Sequence, residues 1–190
     1  MTKRLLLIAF TFLFSLALHA QKLNVVVNYV TSNGDGNNNI FYMPDQLLNW
    51  DDFKGKPVQG SEAAALTNAG FGIKLLFKRM GNNSQLVIAV NCSFSRKDSW
   101  VKTENKTPYI LNHEQKHFDI AYIHTCLFIQ NLRKANFTNS NYSAVIQKVY
   151  NEAATMMTKT QYQYDGETSH SRLPEKQAEW DEKIDRQLKQ

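Results

Sequence analysis

The first half of the chain carries the pattern of β-strands. Residues 23–30 form a β-branched run, and two further strands are predicted over about 69–79 and 85–94. Residues 80–84, Met-Gly-Asn-Asn-Ser, have the composition of a hairpin turn between these last two segments. Residues 31–39 are rich in Asn, Gly, Asp and Ser, which is typical of a loop. The pattern predicts a mostly antiparallel β-sheet in this half.

The second half changes to a helical period. Apolar positions between residues 107 and 134 recur three or four apart, with Pro108 at the start and Thr107 placed to cap the helix. A second long helix is predicted over residues 142–162, and a third over residues 174–188. Because the helices follow the strands without alternating with them, the chain is predicted to be an α+β domain.

The third predicted helix is strongly charged, as a surface helix would be. Trp180 and Ile184 fall on one of its faces, one turn apart. We expect this face to dock on the protein's own domain.

The N-terminus has the organisation of a secretory signal peptide. Lys3 and Arg4 precede an apolar run over residues 5–18, and Ala20 suits the position before a cleavage site. The run is short for a membrane span, although an uncleaved N-terminal anchor is the competing interpretation. No Cys follows the run, which argues against a lipid anchor at a new N-terminus. We expect cleavage after residue 20 and a secreted or periplasmic location.

The length of the chain indicates a single domain, and its net charge argues against a nucleic-acid-binding protein. Residues 21–190 are enough for one domain with a hydrophobic core. The formal net charge is +5, and removal of Lys3 and Arg4, the only charged residues in 1–20, leaves +3. This excess is too small to indicate nucleic-acid binding. We expect a monomer that does not contact the membrane once the signal peptide has been removed.

Two cysteines, Cys92 and Cys126, are the only ones in the chain. In an oxidising compartment they could form one disulfide between a strand and a helix. Free buried thiols are the equal alternative, because both residues lie in apolar stretches. Their spacing fits no zinc–thiolate motif.

The candidate chemistry lies on the first predicted helix, in the pentad His113-Glu114-Gln115-Lys116-His117. Histidines four residues apart lie on one helical face, so both imidazoles can reach one metal ion. Zn²⁺ accepts imidazole nitrogen and keeps a water molecule when three protein ligands bind it. Glu114 is placed to act as general base toward that water. The alternative, a solvated helical face, is disfavoured by the apolar neighbours of the pentad.

A third metal ligand has three candidates. His170 is preferred, then Asp165, and then Glu152 on the second helix. The first two belong to residues 164–170, which follow the predicted second helix and contain Gly166, where the chain could bend back. A neutral imidazole would leave the site more positive than a carboxylate would. The alternative for this segment is a turn whose polar side chains cap helix ends.

Two further residues have supporting roles with structural alternatives. Tyr164 could donate a hydrogen bond to the oxyanion of a tetrahedral intermediate, or pack against the helix end. Asp119 could orient a ligand histidine, but it lies on another side of the helix from His117. A structural salt bridge or cap is therefore the preferred role for Asp119.

Several motifs together resemble a bacterial domain-of-unknown-function family described as predicted secreted zinc-dependent proteases, in the zincin (HExxH metallopeptidase) superfamily. The matching segments, from about residue 45 onward, are Leu48–Pro57, Lys97–Lys102, Tyr109–Ala121, Tyr164–His170 and Gln177-x-x-Trp180. The resemblance implies a zincin-like fold, Zn²⁺ as the cofactor, His113 and His117 as ligands and Glu114 as general base. It also favours His170 as third ligand, because that position closes the family's second motif.

The sequence therefore predicts an exported zinc-dependent metallohydrolase, with a peptidase acting on peptides or proteins preferred. A zinc amidase acting on cell-wall or small-molecule amides is one alternative. A non-catalytic metal-binding or ligand-binding protein is another, although metal storage needs no general base beside the two histidines. The sequence does not separate these, because specificity depends on the shape of a cleft.

Overall fold

The computed structural model describes residues 23–32, 38–81 and 83–189. The predicted signal peptide, residues 1–20, lies outside this part of the chain. No helix in the described part is long and apolar enough to cross a membrane.

The main sheet is built around one long central strand. β5 pairs along its whole length with β4 in antiparallel orientation. On its other side, β1 pairs in parallel with the first part of β5, and β2 pairs antiparallel with its end. β3 and β6 form a separate antiparallel pair. The strands are β1 (Leu23–Tyr29), β2 (Asn39–Phe41), β3 (Ala65–Leu66), β4 (Ala69–Met80), β5 (Asn83–Ser95) and β6 (Trp100–Val101).

The sheet is therefore mixed rather than wholly antiparallel. The three long predicted strands and the hairpin between β4 and β5 are confirmed, while the parallel pairing of β1 and the three short strands were not predicted. Asn39 belongs to β2 rather than to the predicted loop, and residues 33–37 of that loop lie outside the described part.

Three helices follow the strands, as the sequence predicts for an α+β domain: α1 (Pro108–Lys134), α2 (Tyr142–Thr168) and α3 (Pro174–Leu188). Thr107 Oγ1 accepts a hydrogen bond from the Ile110 N–H at 3.2 Å, which confirms the predicted cap of α1. The bounds of α1 and α3 are confirmed, whereas α2 continues well past residue 162.

The predicted bend at Gly166 is wrong, since α2 passes through this residue as regular helix. The Thr168 hydroxyl donates to the Tyr164 carbonyl at 2.7 Å, inside the last turn. The chain leaves the helix at Ser169, where φ becomes positive. The turn that follows is tight, because the His170 N–H donates to the Asp165 carbonyl at 2.8 Å. Asp165 is consequently a helical residue, one turn after Gln161.

The core lies between the sheet and the two long helices. Alternate residues of β5 face the helices and are fully buried: Leu86, Ile88, Val90, Cys92 and Phe94. Phe128 of α1 is also fully buried and stacks on Phe71 of β4, with ring centroids 4.9 Å apart. This packing fixes α1 against the sheet.

Both cysteines are free thiols, so the disulfide alternative is not the one the structure adopts. Cys92 is buried in β5, and burial raises the pKa of its thiol to about 12. The thiol is therefore protonated at neutral pH and a poor nucleophile or metal ligand.

Replacement of Phe128 by Ala should lower the free energy of unfolding by about 3–5 kcal/mol, because it leaves a cavity under a stacked aromatic pair. Leu127→Ala is the matched control, since its side chain is 46 % exposed and should cost less than about 1 kcal/mol. Denaturant unfolding of both variants checks this. Equal losses would contradict the assignment of the core.

Candidate metal centre

Two helices bring the histidine pair and one carboxylate together. His113 and His117 lie in the first three turns of α1 and face Asp165 near the end of α2. The Asp165 Oδ1 atom is 3.2 Å from His113 Nε2 and 3.1 Å from His117 Nε2. The ligand atoms of these three residues all lie within 4.8 Å of one another. This group could hold a metal ion.

The tautomer of His113 is fixed by a glutamine on α3. Gln177 Nε2 donates to the Asp181 carboxylate at 2.7 Å and to the Tyr164 hydroxyl at 2.6 Å. These acceptors orient the amide so that Oε1 faces His113 Nδ1 at 2.8 Å. Since an amide oxygen only accepts, Nδ1 must carry the proton, and a neutral His113 presents its Nε2 lone pair to Asp165.

His117 is held in the same way by a glutamine on α2. Gln161 Nε2 donates to the His117 backbone carbonyl at 2.8 Å, which places Oε1 at 2.5 Å from His117 Nδ1. Here too Nδ1 is the donor, and the lone pair of Nε2 is directed at the same carboxylate oxygen.

The consequence is a cluster of hydrogen-bond acceptors without a donor between them. Two Nε2 lone pairs and one carboxylate oxygen repel unless they share a positive charge, either a metal ion or added protons. Burial lowers the pKa of His117, but its hydrogen bond to Asp165 and the charge of Glu114 outweigh burial and raise it overall. Burial likewise opposes ionisation of Asp165, yet the two imidazoles hold the pKa of this carboxyl well below its ordinary value.

Glu114 lies beside this cluster and is buried, although it carries a carboxylate. Its Oε2 atom has no hydrogen-bond partner among the described residues. The backbone is held in place, because Thr67 Oγ1 donates to the Glu114 carbonyl at 3.1 Å. A buried carboxylate oxygen without a partner is costly, so its presence indicates a group or water that this position is built to meet.

The structure favours Asp165 over His170 as the third ligand. Asp165 occupies the position next to both histidines, whereas the His170 side chain is 59 % exposed and its Nδ1 lies 3.5 Å from Asp165 Oδ1. His170 is outside the group of convergent ligand atoms. The reason is the extension of α2, which directs Asp165 inward and leaves His170 in the turn beyond the helix.

The third-ranked candidate, Glu152, is excluded from the site. It is exposed and pairs with Lys148 at 4.0 Å on the outer surface of α2.

Tyr164 takes the structural role rather than the catalytic one. Its ring is fully buried and stacks on the His113 imidazole, with centroids 4.6 Å apart. The hydroxyl donates to the His113 carbonyl at 3.3 Å and accepts from Gln177. Because the hydroxyl makes both of these contacts within the core, the structure supports the packing alternative for Tyr164 over the role of oxyanion donor.

The third and fourth residues of the pentad anchor α1 on its other sides. Gln115 accepts the Leu48 N–H at 2.8 Å and donates to Asp119 at 2.8 Å. Lys116 forms ion pairs with Asp119 at 3.3 Å and with Asp185 of α3 at 2.6 Å. Asp119 therefore has the structural role preferred from the sequence.

Two functional residues were missed by the sequence reasoning, Gln161 and Gln177. Gln161 precedes Asp165 by four residues and would have been placed beside it if α2 had been extended. Gln177 was part of the Gln177-x-x-Trp180 motif that carries the family resemblance, but the sequence reasoning assigned it no role.

A cleft of about 600 Å³ opens over the convergent side chains. One wall of the cleft is formed by residues 63–69, which include β3. The other wall is formed by α1 and α2, which contribute His113, Glu114, His117 and Asp165 to the lining. Much of the first wall is alanine, so the β3 backbone is close to the centre of the cleft.

Comparisons of the chain with protein-family models, with curated proteins and with solved structures return no match. The family resemblance remains a prediction.

Substitution tests the choice of third ligand. Asp165→Ala should abolish binding of a divalent metal, while His170→Ala should bind about one ion per chain like the parent. Elemental analysis after incubation with Zn²⁺, Mn²⁺ or Ni²⁺ measures this, and also identifies the preferred ion. Metal lost from the His170 variant and kept by the Asp165 variant would contradict the geometry.

The turn beyond α2 gives a second prediction. Ser169, His170 and Ser171 have φ values of 49°, 52° and 65°, a left-handed run that costs non-glycine residues about 1 kcal/mol each. Ser169→Gly should therefore raise the free energy of unfolding by roughly 0.5–1 kcal/mol. The exposed, mid-helical Thr155→Gly should lower it. Thermal unfolding compares them, and a destabilising Ser169→Gly would count against this turn.

Proposed function

We propose that this chain is an exported zinc-dependent metallohydrolase and that it cleaves peptides. The observation that carries the proposal is the buried Glu114 carboxylate oxygen without a partner among the described residues, beside three convergent acceptor atoms. A protein that only stored a metal would have no use for such a group.

The donor set supports zinc as the ion. Two imidazole nitrogens and one carboxylate oxygen are ligands that Zn²⁺ takes in catalytic sites, where a fourth position stays open. The side-chain amides of Gln161 and Gln177 hold both imidazoles through Nδ1, which fixes the direction of each Nε2 lone pair. His113, His117 and Asp165 are therefore the residues that would hold the ion.

A bound zinc ion would supply Lewis acidity, which acidifies a water molecule and polarises the substrate carbonyl. Glu114 accepts the proton of the attacking water on Oε2 and returns it to the leaving nitrogen. Burial of Glu114 favours this transfer, because bulk water does not compete for the carboxylate. Thr67 contributes by fixing the Glu114 backbone from the opposite wall of the cleft.

A peptide substrate is supported by the orientation of the β3 backbone at the cleft. The Lys102 N–H donates to the Ala64 carbonyl at 2.9 Å, so Ala64 and Leu66 are the positions bonded to β6. The N–H and C=O of Ala65 consequently point away from β6, on the edge that borders the cleft. An extended peptide can add to such an edge through main-chain hydrogen bonds.

Export is supported by the signal-peptide pattern of residues 1–20 and by the resemblance to a predicted secreted family. The described fold needs no disulfide, so either redox environment suits it.

Glu114→Gln should reduce turnover of a peptide substrate by at least about 100-fold while metal content stays unchanged, because only the proton acceptor is lost. Activity is measured on a peptide library with the zinc-loaded chain, and elemental analysis runs in parallel. Tyr162→Phe, an exposed substitution in the cleft wall, serves as the control for general effects on the cleft.

Three results would reject or redirect the proposal. Equal activity of the parent and Glu114→Gln would reject Glu114 as the base. A zinc-loaded parent that cleaves cell-wall fragments but no peptides would favour an amidase. Zinc binding without turnover of either class would favour a binding protein.

A further inference from the structure

Acidic residues are unevenly distributed along this chain. Residues 63–97 and 120–151 contain no Asp or Glu, although the chain has 17 acidic residues in total. The first stretch includes the β4–β5 hairpin, and the second includes the end of α1 and the start of α2. Residues 1–34 contain none either.

The fold brings these acid-free stretches together at one end. Phe77 of β4 stacks on Tyr142 at the start of α2, with ring centroids 5.6 Å apart. Leu23, the first residue of β1, lies opposite Ser84 beside the hairpin turn. Arg133 near the end of α1 donates to the Val27 carbonyl at 3.1 Å. The metal centre lies at the other end of α1.

Five exposed cations lie in this region, which we call the basic end: Lys74, Lys78 and Arg79 of β4, and Arg133 and Lys134 of α1. No ion pair joins any of these five residues to a carboxylate within the described part of the chain. Among the residues that the structure describes, the positive charge of the basic end is therefore not compensated by ion pairs.

Exposed apolar side chains accompany these cations. Leu75, Leu76 and Phe77 are 42 %, 51 % and 42 % exposed, and they are consecutive residues of β4. Successive side chains of a strand point to opposite faces, so Leu75 and Phe77 lie on one face of β4 and Leu76 lies on the other. Each face is only partly covered here, since Phe77 remains 42 % exposed although it stacks on Tyr142. Single exposed apolar residues are ordinary, but three in a row flanked by cations are not.

We propose that the basic end binds the surface of an anionic lipid bilayer. Lys and Arg are attracted to anionic headgroups, while Leu and Phe side chains enter the interface between headgroups and acyl chains. The apolar side chains of Leu75–Phe77 would contribute no favourable contact with the phosphate backbone of a nucleic acid, so a nucleic acid is a poorer fit to this surface. A second copy paired along β4 would bring Lys74, Lys78 and Arg79 close to the same cations of the other copy, and their mutual repulsion would disfavour the pair.

The position of the first strand is consistent with a basic end that faces the bilayer. β1 begins at the basic end, and the apolar run over residues 5–18 precedes it in the sequence. The inference differs from the expectation that residues 21–190 avoid the membrane. It does not depend on the proposed hydrolase activity, because the basic end and the cleft share no residue.

Co-sedimentation with vesicles tests the proposal. The chain from residue 21 to 190, which contains every described element, is mixed with vesicles of phosphatidylglycerol and phosphatidylcholine, or of phosphatidylcholine alone. Residues 1–20 are omitted because an apolar run would bind lipid by itself. We expect binding to the anionic vesicles only, weakened by added salt.

The matched variants separate this surface from net charge. Lys74→Gln, Lys78→Gln and Arg79→Gln together should weaken binding at least tenfold, since each cation near an anionic surface contributes roughly fivefold. Lys54→Gln, Lys56→Gln and Lys97→Gln remove the same charge from exposed sites outside the basic end and should change binding less than about threefold. Leu76→Ser should weaken binding with all cations present. Thermal unfolding verifies that the variants are folded.

Three results would overturn the proposal. The first is a parent chain that does not bind anionic vesicles at low salt. The second is an equal loss of binding in the two triple variants, which would indicate net charge alone. The third is a dimer in sedimentation velocity that Leu76→Ser dissociates while vesicle binding is unchanged, which would make this surface a contact between copies.

Discussion

The structure depends on one constraint: in a five-residue polar segment four residues are buried and His117 is half-buried, and their side chains must find partners. His113 and Gln115 face opposite directions on α1, one toward α3 and the other toward the segment at Leu48. Lys116 reaches α3, and His117 reaches α2. An unsatisfied polar group in this environment would cost a few kcal/mol, so the surrounding elements are positioned by the need to supply partners. Glu114 is the exception, because its Oε2 atom has no partner among the described residues, and it lines the cleft together with His113 and His117.

Both imidazoles have an uncharged amide as their partner at Nδ1, and this has chemical consequences. A carboxylate at Nδ1 would also orient the ring, but it would add a negative charge beside each imidazole. Gln161 and Gln177 fix the orientation of each ring without adding a negative charge. Asp165 is then the only anionic side chain among the three convergent groups. A cation bound there would therefore be less neutralised by its surroundings than it would be with carboxylates behind the imidazoles.

Local signals explain what could be predicted from the sequence. The start of α1 follows from Thr107 and Pro108, and the histidine pair follows from helical spacing, because both depend on neighbouring residues alone. The third ligand could not be predicted in the same way. Gly166 disfavours helix, yet α2 continues past this residue. Tyr164, two residues earlier, is fully buried and its hydroxyl donates to the His113 carbonyl, and these contacts stabilise this end of the helix. The parallel pairing of β1 was also hidden, since strand partners are set by long-range packing.

The length of α1 has a geometric consequence. The helix carries His113 and His117 near its start and Arg133 near its end, a separation of about 24 to 30 Å at 1.5 Å per residue. A continuous helix packed on a sheet does not shorten, so it acts as a rigid spacer between the two ends of the molecule. If the basic end contacts a membrane, the cleft is held well above the headgroups. With the proposed peptidase activity, substrates would then be selected by reach: a chain extending away from the surface could be cleaved, while one lying flat on it could not.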